Sequence, residues 1–149
     1  MKKKNTTEDL LEQLDGSGSD AEWAAVKELR TLDMFPRLLL EKYRSSVAWK
    51  TRSSCVYHAV RYAPSSDDAI TLGKEAIRDK SKVVRYRGCM LLAYSQKHDV
   101  LPALKQALGL ARREEDLEDI RAAIDSIESR NHNFFVDREH SGKVTLTIS

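Results

Sequence analysis

The feature that most constrains the fold is a pattern of apolar residues that repeats about every 34 residues. Shifting the chain by 34 positions superimposes like residues, among them Leu38 on Leu72, Cys55 on Cys89, and Ala59 on Ala93. A third copy follows with a small change of register, in which Val84-Arg85 matches Ile120-Arg121. Each copy contains two segments with helical apolar spacing, so the repeating unit is one helical hairpin. A period of this length is typical of an α-solenoid.

Local signals predict where the helices begin. Ser19 followed by Glu22 has the spacing of a capping box, and Pro36 suits the first turn of the next helix. The apolar spacing then predicts further helices that begin near residues 47, 67, 81, 98 and 114. We therefore predict an all-α fold, a short right-handed α-solenoid of about three helix pairs with an N-terminal capping helix.

The two ends of the chain depart from the repeat. Residues 1–19 combine a short apolar turn with a Gly/Ser-rich stretch, which predicts a flexible N-terminal segment. Residues 131–149 contain β-prone Phe134–Val136, a Ser141-Gly142 pair and an alternating segment from Val144 to Ile148. This pattern predicts a β-hairpin that caps the last helix pair. The whole chain, 1–149, is then one domain, with the helical repeats over 20–130.

The segment from Asp137 to Val144 also has the oxygen spacing with which an EF-hand loop begins. Such a loop follows a helix and needs a glutamate at its twelfth position, where this chain has Ile148. A transition-metal site at His132, Asp137 and His140 is the remaining metal hypothesis. We favour a turn, and we predict no metal ligands.

Few residues in the chain indicate catalysis. The four histidines are scattered, and the sequence has no Cys-x-x-Cys pair, Gly-rich phosphate loop or nucleophile elbow. Cys55 and Cys89 occupy equivalent positions in apolar helices, which predicts buried thiols that act as small packing residues. We therefore predict a protein without catalytic residues or a cofactor. The absence of a signal-like start and of a long apolar run predicts a cytoplasmic protein that makes no membrane contact.

Charge is unevenly distributed along the chain. Residues 40–113 carry 15 Lys/Arg against 6 Asp/Glu, whereas residues 114–149 carry 4 against 9. A basic middle between acidic ends predicts one positive surface directed at an anionic partner. The candidate partner-binding residues are Lys50, Arg61, Lys82, Arg87, Tyr94, Arg112 and Arg113.

The second copy resembles the HEAT-repeat family. The segment from Asp79 to Ala93 has an acidic turn residue, a Val-Arg pair, small residues and a Leu-Ala pair, and Val100–Leu104 is similar to the opening of a first helix in that family. The resemblance extends over about residues 35–130. In the first copy, Thr51-Arg52 stands where the family has Val-Arg.

The resemblance implies a protein that binds a partner along its helical ridge. We expect a non-enzymatic interaction module or adaptor whose partner is a protein with an acidic surface. In size and style the chain is also similar to bacterial immunity proteins that neutralise a toxin by covering it. The alternative is a nucleic-acid-binding protein that uses the basic repeats, with a HEAT-like DNA glycosylase as its enzymatic variant. The sequence leaves the oligomeric state open.

Overall fold

The computed structural model describes residues 6–149, and this part of the chain is helical throughout its regular structure. Eight α-helices occur in it: α1 Thr7–Glu12, α2 Asp20–Leu29, α3 Phe35–Ser45, α4 Trp49–Ala59, α5 Asp67–Ala76, α6 Lys82–Ser95, α7 Leu101–Leu110 and α8 Glu114–Glu128. Three short 3₁₀ helices are found at Val60–Tyr62, His98–Val100 and His132–Phe135. The predicted all-α class is therefore confirmed.

The helices begin where the sequence signals place them. The Ser19 hydroxyl accepts a hydrogen bond from the backbone N–H of Glu22 (3.2 Å), and Ser66 caps α5 through the N–H of Ala69 in the same way. Pro36 and Pro102 lie in the first turns of α3 and α7, where a missing N–H costs no helical hydrogen bond. α6 ends at Ser95, and its C-cap residue Gln96 takes a left-handed conformation with φ of 54°.

Six helices form three stacked hairpins. α3 packs on α4, α5 on α6, and α7 on α8, while α6 lies between α4 and α8 and contacts both in a second-helix layer. The turns within the hairpins, residues 46–48, 77–81 and 111–113, lie along one edge of the stack, here called the turn edge. None of the helices in residues 6–149 combines the length and apolar character needed to cross a membrane.

Small residues bring the hairpin helices close together. A Cβ atom on Gly88 of α6 would lie 2.8 Å from both the Cβ of Ala76 and the backbone nitrogen of Ile77, so glycine sets the approach of α5 and α6. Cys55 and Cys89 are free and buried in this core, as predicted, and burial raises the pKa of the Cys55 thiol to about 12. At neutral pH these thiols act as packing groups.

Equivalent ion pairs join neighbouring hairpins. Arg52 of α4 donates to Asp79 in the next hairpin (Nε to Oδ2, 2.9 Å), and Arg85 of α6 donates to Asp116 (Nε to Oδ1, 3.2 Å). Each of these two arginines thus bonds the hairpin that follows its own. Arg121 instead lies 4.0 Å from Glu114 of its own helix, at the exposed surface.

The predicted C-terminal β-hairpin is wrong, since the described residues contain no strand. Phe135 is fully buried beside Tyr86, so the first β-prone segment forms a 3₁₀ turn that anchors the chain to α6. The backbone N–H of Leu146 donates to the side-chain oxygen of Asn133 (2.9 Å). The Asn133 side chain thus accepts from a backbone N–H that strand pairing would have used. Residues 143–149 have no regular secondary structure.

The segment from Asp137 to Val144, whose spacing resembles the start of a calcium loop, contains a turn that the Asp137 carboxylate stabilises. Asp137 accepts hydrogen bonds from the backbone N–H groups of Ser141 (3.0 Å) and Gly142 (2.8 Å), and these bonds lower its pKa. Gly142 has φ of 77°, the conformation expected of it as a turn residue. His140 points to Asp125 instead, with 2.6 Å between Nε2 and Oδ2. His132 packs against Tyr94. The three candidate metal ligands His132, Asp137 and His140 therefore contact different partners.

Candidate partner-binding groove

A concave surface of about 430 Å³ lies on the turn edge between the second and third hairpins. Its walls come from the α5–α6 turn with the start of α6, and from the end of α7 with the α7–α8 turn and α8. Twelve residues line this basic groove: Ile77, Arg78, Lys80, Lys82, Arg85, Ala107, Leu110, Ala111, Arg112, Arg113, Asp116 and Ile120. Six of them are basic and one is acidic, so the groove has a strongly positive lining.

Two of the six cations are neutralised within the protein. Lys82 forms an ion pair with Glu115, and Arg85 forms one with Asp116. Both pairs join α6 to α8 across the groove. The Arg85–Asp116 pair is the less exposed of the two and helps to fix the position of the groove's walls.

The other four cations have no carboxylate within ion-pair distance in residues 6–149. Arg78 and Lys80 project from the α5–α6 turn, and Arg112 and Arg113 from the α7–α8 turn, all at exposed positions. Two positive charges therefore flank each side of the groove. Such a cluster attracts an anionic partner and speeds its encounter with the surface.

The floor of the groove is apolar. Ile77 and Ile120 belong to the core and Ala107 lies beside them, whereas Leu110 at the end of α7 leaves 59% of its surface exposed. An exposed leucine inside a concave basic rim provides apolar area that a bound segment could cover. The combination fits a ligand that carries both carboxylates and apolar side chains.

The structure brings together three of the seven residues predicted from sequence. Lys82, Arg112 and Arg113 line the basic groove. Arg87 packs elsewhere, with its guanidinium 4.8 Å from the Tyr57 ring centre and a hydrogen bond to the carbonyl oxygen of Ser53.

The other three predicted residues lie outside the groove. Tyr94 contacts His132 of the C-terminal segment, with 5.0 Å between ring centres. Lys50 lies over the Trp49 ring at the start of α4, and Arg61 lies near the Tyr62 ring after α4. The predicted set is therefore distributed over several parts of the molecule.

Sequence reasoning missed Arg78 and Lys80 as groove residues. Both flank Asp79 in the α5–α6 turn, and the sequence Arg-Asp-Lys-Ser-Lys marks that turn as basic. Most of the predicted residues were placed on the second helices and only Arg112 and Arg113 at a turn, whereas half of the twelve lining residues of the groove lie in turns. Giving the intra-hairpin turns the same weight as the helix faces would have identified both residues.

A second polar cluster lies away from the groove, between α2 and α4. The Glu22 carboxylate is buried and accepts hydrogen bonds from the Ser54 hydroxyl (2.7 Å) and the backbone N–H of Gly18 (3.2 Å). His58 Nε2 lies 2.9 Å from the same carboxylate. Glu22, which the sequence marks only as a capping residue, thus joins two helices through its side chain.

His58 is neutral in this cluster. Burial lowers its pKa, against the opposing effect of the hydrogen bond and charge of Glu22. A neutral imidazole that donates Nε2–H to Glu22 leaves Nδ1 as an acceptor, and Nδ1 has no hydrogen-bond partner among the described residues. A small cavity of about 230 Å³ adjoins the cluster, and Trp23, Tyr57 and Arg87 complete its walls.

The residues that the structure describes contain no group of three or more His, Cys, Asp or Glu side chains placed to hold a metal ion.

Comparison with protein-family models, with curated proteins and with solved structures gave no match. The resemblance to HEAT repeats thus rests on the sequence motifs quoted above and stays a prediction, as does the right-handed twist.

Proposed function

We propose that the chain is a cytoplasmic, non-enzymatic HEAT-like interaction module that binds an acidic segment of a partner protein in the basic groove. The observation that carries this proposal is the set of four cations without an ion-pair partner, Arg78, Lys80, Arg112 and Arg113, around an apolar floor. A toxin with an acidic binding surface is one partner of this chemistry, which makes an immunity protein a special case of the proposal.

The hairpin stack supports the HEAT-like part of the proposal. Arg52 and Arg85 occupy matching places in successive hairpins, and each bonds an aspartate of the hairpin that follows. This repetition is what a solenoid built from one repeating unit requires. In such a protein, function comes from the surface that the repeats present rather than from the fold itself.

The lining of the groove favours a protein partner over nucleic acid. Among the described residues that line it, none is aromatic, and five are apolar or small aliphatic side chains. Single-stranded nucleic acid is held by stacking on aromatic rings, and duplex binding consists largely of phosphate contacts. An apolar floor contributes to neither, whereas it adds affinity for a peptide with leucine or valine side chains.

The test compares a labelled acidic peptide of 15 residues, rich in glutamate and leucine, with a labelled DNA duplex. Fluorescence polarisation is measured at about 50 and 200 mM salt, where a purely phosphate-based complex weakens by orders of magnitude. We expect the peptide to bind and to keep part of its affinity at the higher salt, because apolar contacts are not screened. Tighter binding of DNA, with a steep salt dependence, would contradict the proposal.

One observation favours the nucleic-acid alternative with glycosylase-like activity. The Glu22 carboxylate lies beside Trp23 and Tyr57 at a small cavity, and a carboxylate next to aromatic rings on which an extruded base could stack suits chemistry on a flipped base. However, Glu22 is only 3% exposed, and its carboxylate already accepts from Ser54, Gly18 and His58. Release of base from alkylated duplex DNA by the purified protein, lost in Glu22→Gln, would establish this alternative.

A further inference from the structure

Exposed apolar side chains are concentrated on the turn edge. Among the described residues, six large apolar side chains are strongly exposed, and four of them lie at or next to the intra-hairpin turns: Val47 (88%), Trp49 (45%), Val83 (42%) and Leu110 (59%). The other two, Met34 and Val144, lie at the start of α3 and in the C-terminal segment. Exposed apolar side chains that are concentrated on one edge indicate an interaction surface.

Two of these exposed residues, Val47 and Leu110, line adjoining concavities. A second concavity, of about 500 Å³, lies between the α3–α4 turn and the α5–α6 turn, and Val47 lines it. Lys80 lines both this concavity and the basic groove. The two concavities therefore extend over all three turns, from Val47 at one end to Leu110 at the other, and Trp49 begins α4 two residues after Val47.

The spacing of the turns sets the shape of a ligand that contacts all three. Packed helices lie about 8–10 Å apart, so three successive hairpins span about 20 Å along the edge. Residues seven apart on an α-helix are separated by about 10 Å along its axis, since each residue rises about 1.5 Å. A helix with apolar residues at every seventh position thus presents one to each hairpin.

A helical ligand suits this edge better than an extended one. The described turn edge consists of helix ends and turns, so it offers no strand edge with which an extended peptide could pair. A helix satisfies its own backbone hydrogen bonds and needs only side-chain contacts from the surface. Its flanking carboxylates would face Arg78, Lys80, Arg112 and Arg113, which have no ion-pair partner in the described chain.

We propose that the whole turn edge binds an acidic amphipathic helix of a partner protein, about 15 residues long, with apolar side chains seven residues apart. This inference rests on the proposed function and extends it: the partner's helix crosses the basic groove and continues over the α3–α4 turn to Val47 and Trp49. Trp49 is then covered by the partner, although it lies outside the groove.

The experiment uses the full chain and a labelled 15-residue helical peptide with leucine at positions 1, 8 and 15 and glutamate beside them. Binding is measured for the wild-type chain, for Val47→Ser/Trp49→Ser, and for Arg112→Ala/Arg113→Ala. Met34→Ser is the matched control, because Met34 is equally exposed but lies at the opposite end of α3. Far-UV circular dichroism verifies that the substitutions, all at exposed positions, leave the fold intact.

We expect both double variants to lower the affinity for the peptide by about tenfold or more, the loss typical of removing central anchor residues. Met34→Ser should bind the peptide as the wild type does. Tryptophan emission of the wild-type chain should also shift to shorter wavelength on binding, and this shift should be absent in Val47→Ser/Trp49→Ser. If only Arg112→Ala/Arg113→Ala weakens the peptide, the extended surface is refuted and the groove proposal stands. If the wild-type chain binds no acidic peptide, the proposed function is refuted as well.

Discussion

The buried ion pair between Arg52 and Asp79 should be the most sensitive electrostatic contact in the stack. The Asp79 side chain is 5% exposed, and it accepts from Arg52 Nε (2.9 Å) and Nη2 (3.0 Å), from the Tyr43 hydroxyl (2.7 Å) and from the backbone N–H of Ser81 (2.8 Å). Although burial alone would raise the pKa of Asp79, these donors hold it below its ordinary value. The carboxylate is therefore charged at neutral pH and balances a guanidinium that is 8% exposed.

Asp79→Asn keeps the size of the side chain but leaves Arg52 buried without a counter-charge. Breaking a buried pair in this way costs about 3–5 kcal/mol of unfolding free energy. For a chain of this length, each kcal/mol lowers the melting temperature by roughly 2–4 °C, so we expect a loss of about 6–20 °C. Thermal and urea unfolding followed by circular dichroism at neutral pH measure both quantities.

The matched control is Glu75→Gln, which removes the inter-hairpin ion pair between Arg44 and Glu75. This pair is also short, at 2.6 Å, but its side chains are 49% and 36% exposed, so solvent screens the charges. We expect its unfolding midpoint to stay close to that of the wild type. The reasoning is refuted if Asp79→Asn loses less than about 1 kcal/mol, the loss typical of a surface pair.

Two further predictions concern stability. The pKa of His58 is lowered in the folded state, so the unfolded chain binds more protons below about pH 6.5. The unfolding free energy should therefore fall as the pH drops from about 7 toward 5. Urea unfolding should show a smaller decrease for His58→Gln than for the wild type. Gly88→Ala should destabilise the protein by about 1–3 kcal/mol, since its methyl group meets the backbone of Ile77 at 2.8 Å, and chemical denaturation measures the loss.

Each of these two predictions has a matched control within the chain. His98 is exposed, so His98→Gln should keep the wild-type pH dependence, and an equal change in both variants would contradict the role given to His58. Gly109 lies in α7 with open space where a Cβ would stand. Gly109→Ala should therefore be neutral or stabilising by up to about 1 kcal/mol, and a loss as large as that of Gly88→Ala would show that helix contact is not the cause.

The helices could be predicted from sequence because their signals are local. Ser19, Pro36 and Pro102 act on the first turns of their own helices, and the apolar spacing reports burial directly. The 34-residue repeat then identified the hairpins. These inferences depend on residues within one helix or one repeat of each other.

The C-terminal segment was mispredicted because its partners are distant or unusual. Val144–Ile148 alternates as a strand does, but alternation records burial on one side and does not provide a strand to pair with. In the structure, the Leu146 N–H donates a hydrogen bond to the Asn133 side chain instead. Phe135 is buried against Tyr86, almost fifty residues away. Neither contact has a signature in the local sequence.

The sequence predicted the positive charge of the candidate site, but only part of its position. The basic middle of the sequence indicated a positive surface, and Lys82, Arg112 and Arg113 do meet in one groove. Which cations remain without an ion-pair partner depends on contacts such as Lys82 with Glu115, which join residues of different hairpins. Likewise, the contact between Glu22 and His58 spans 36 positions and became visible only in three dimensions.

The most direct measurement of the central claim is the affinity of the acidic peptide for two variants of equal net charge, determined by isothermal titration calorimetry at fixed salt. One variant replaces the four groove cations Arg78, Lys80, Arg112 and Arg113 with alanine. The other replaces four exposed cations outside the groove, Lys27, Arg61, Lys74 and Lys105. We predict that the groove variant loses at least about tenfold in affinity and that the second variant stays near the wild type. Equal losses in the two variants would show that only net charge matters, and would contradict a defined binding groove.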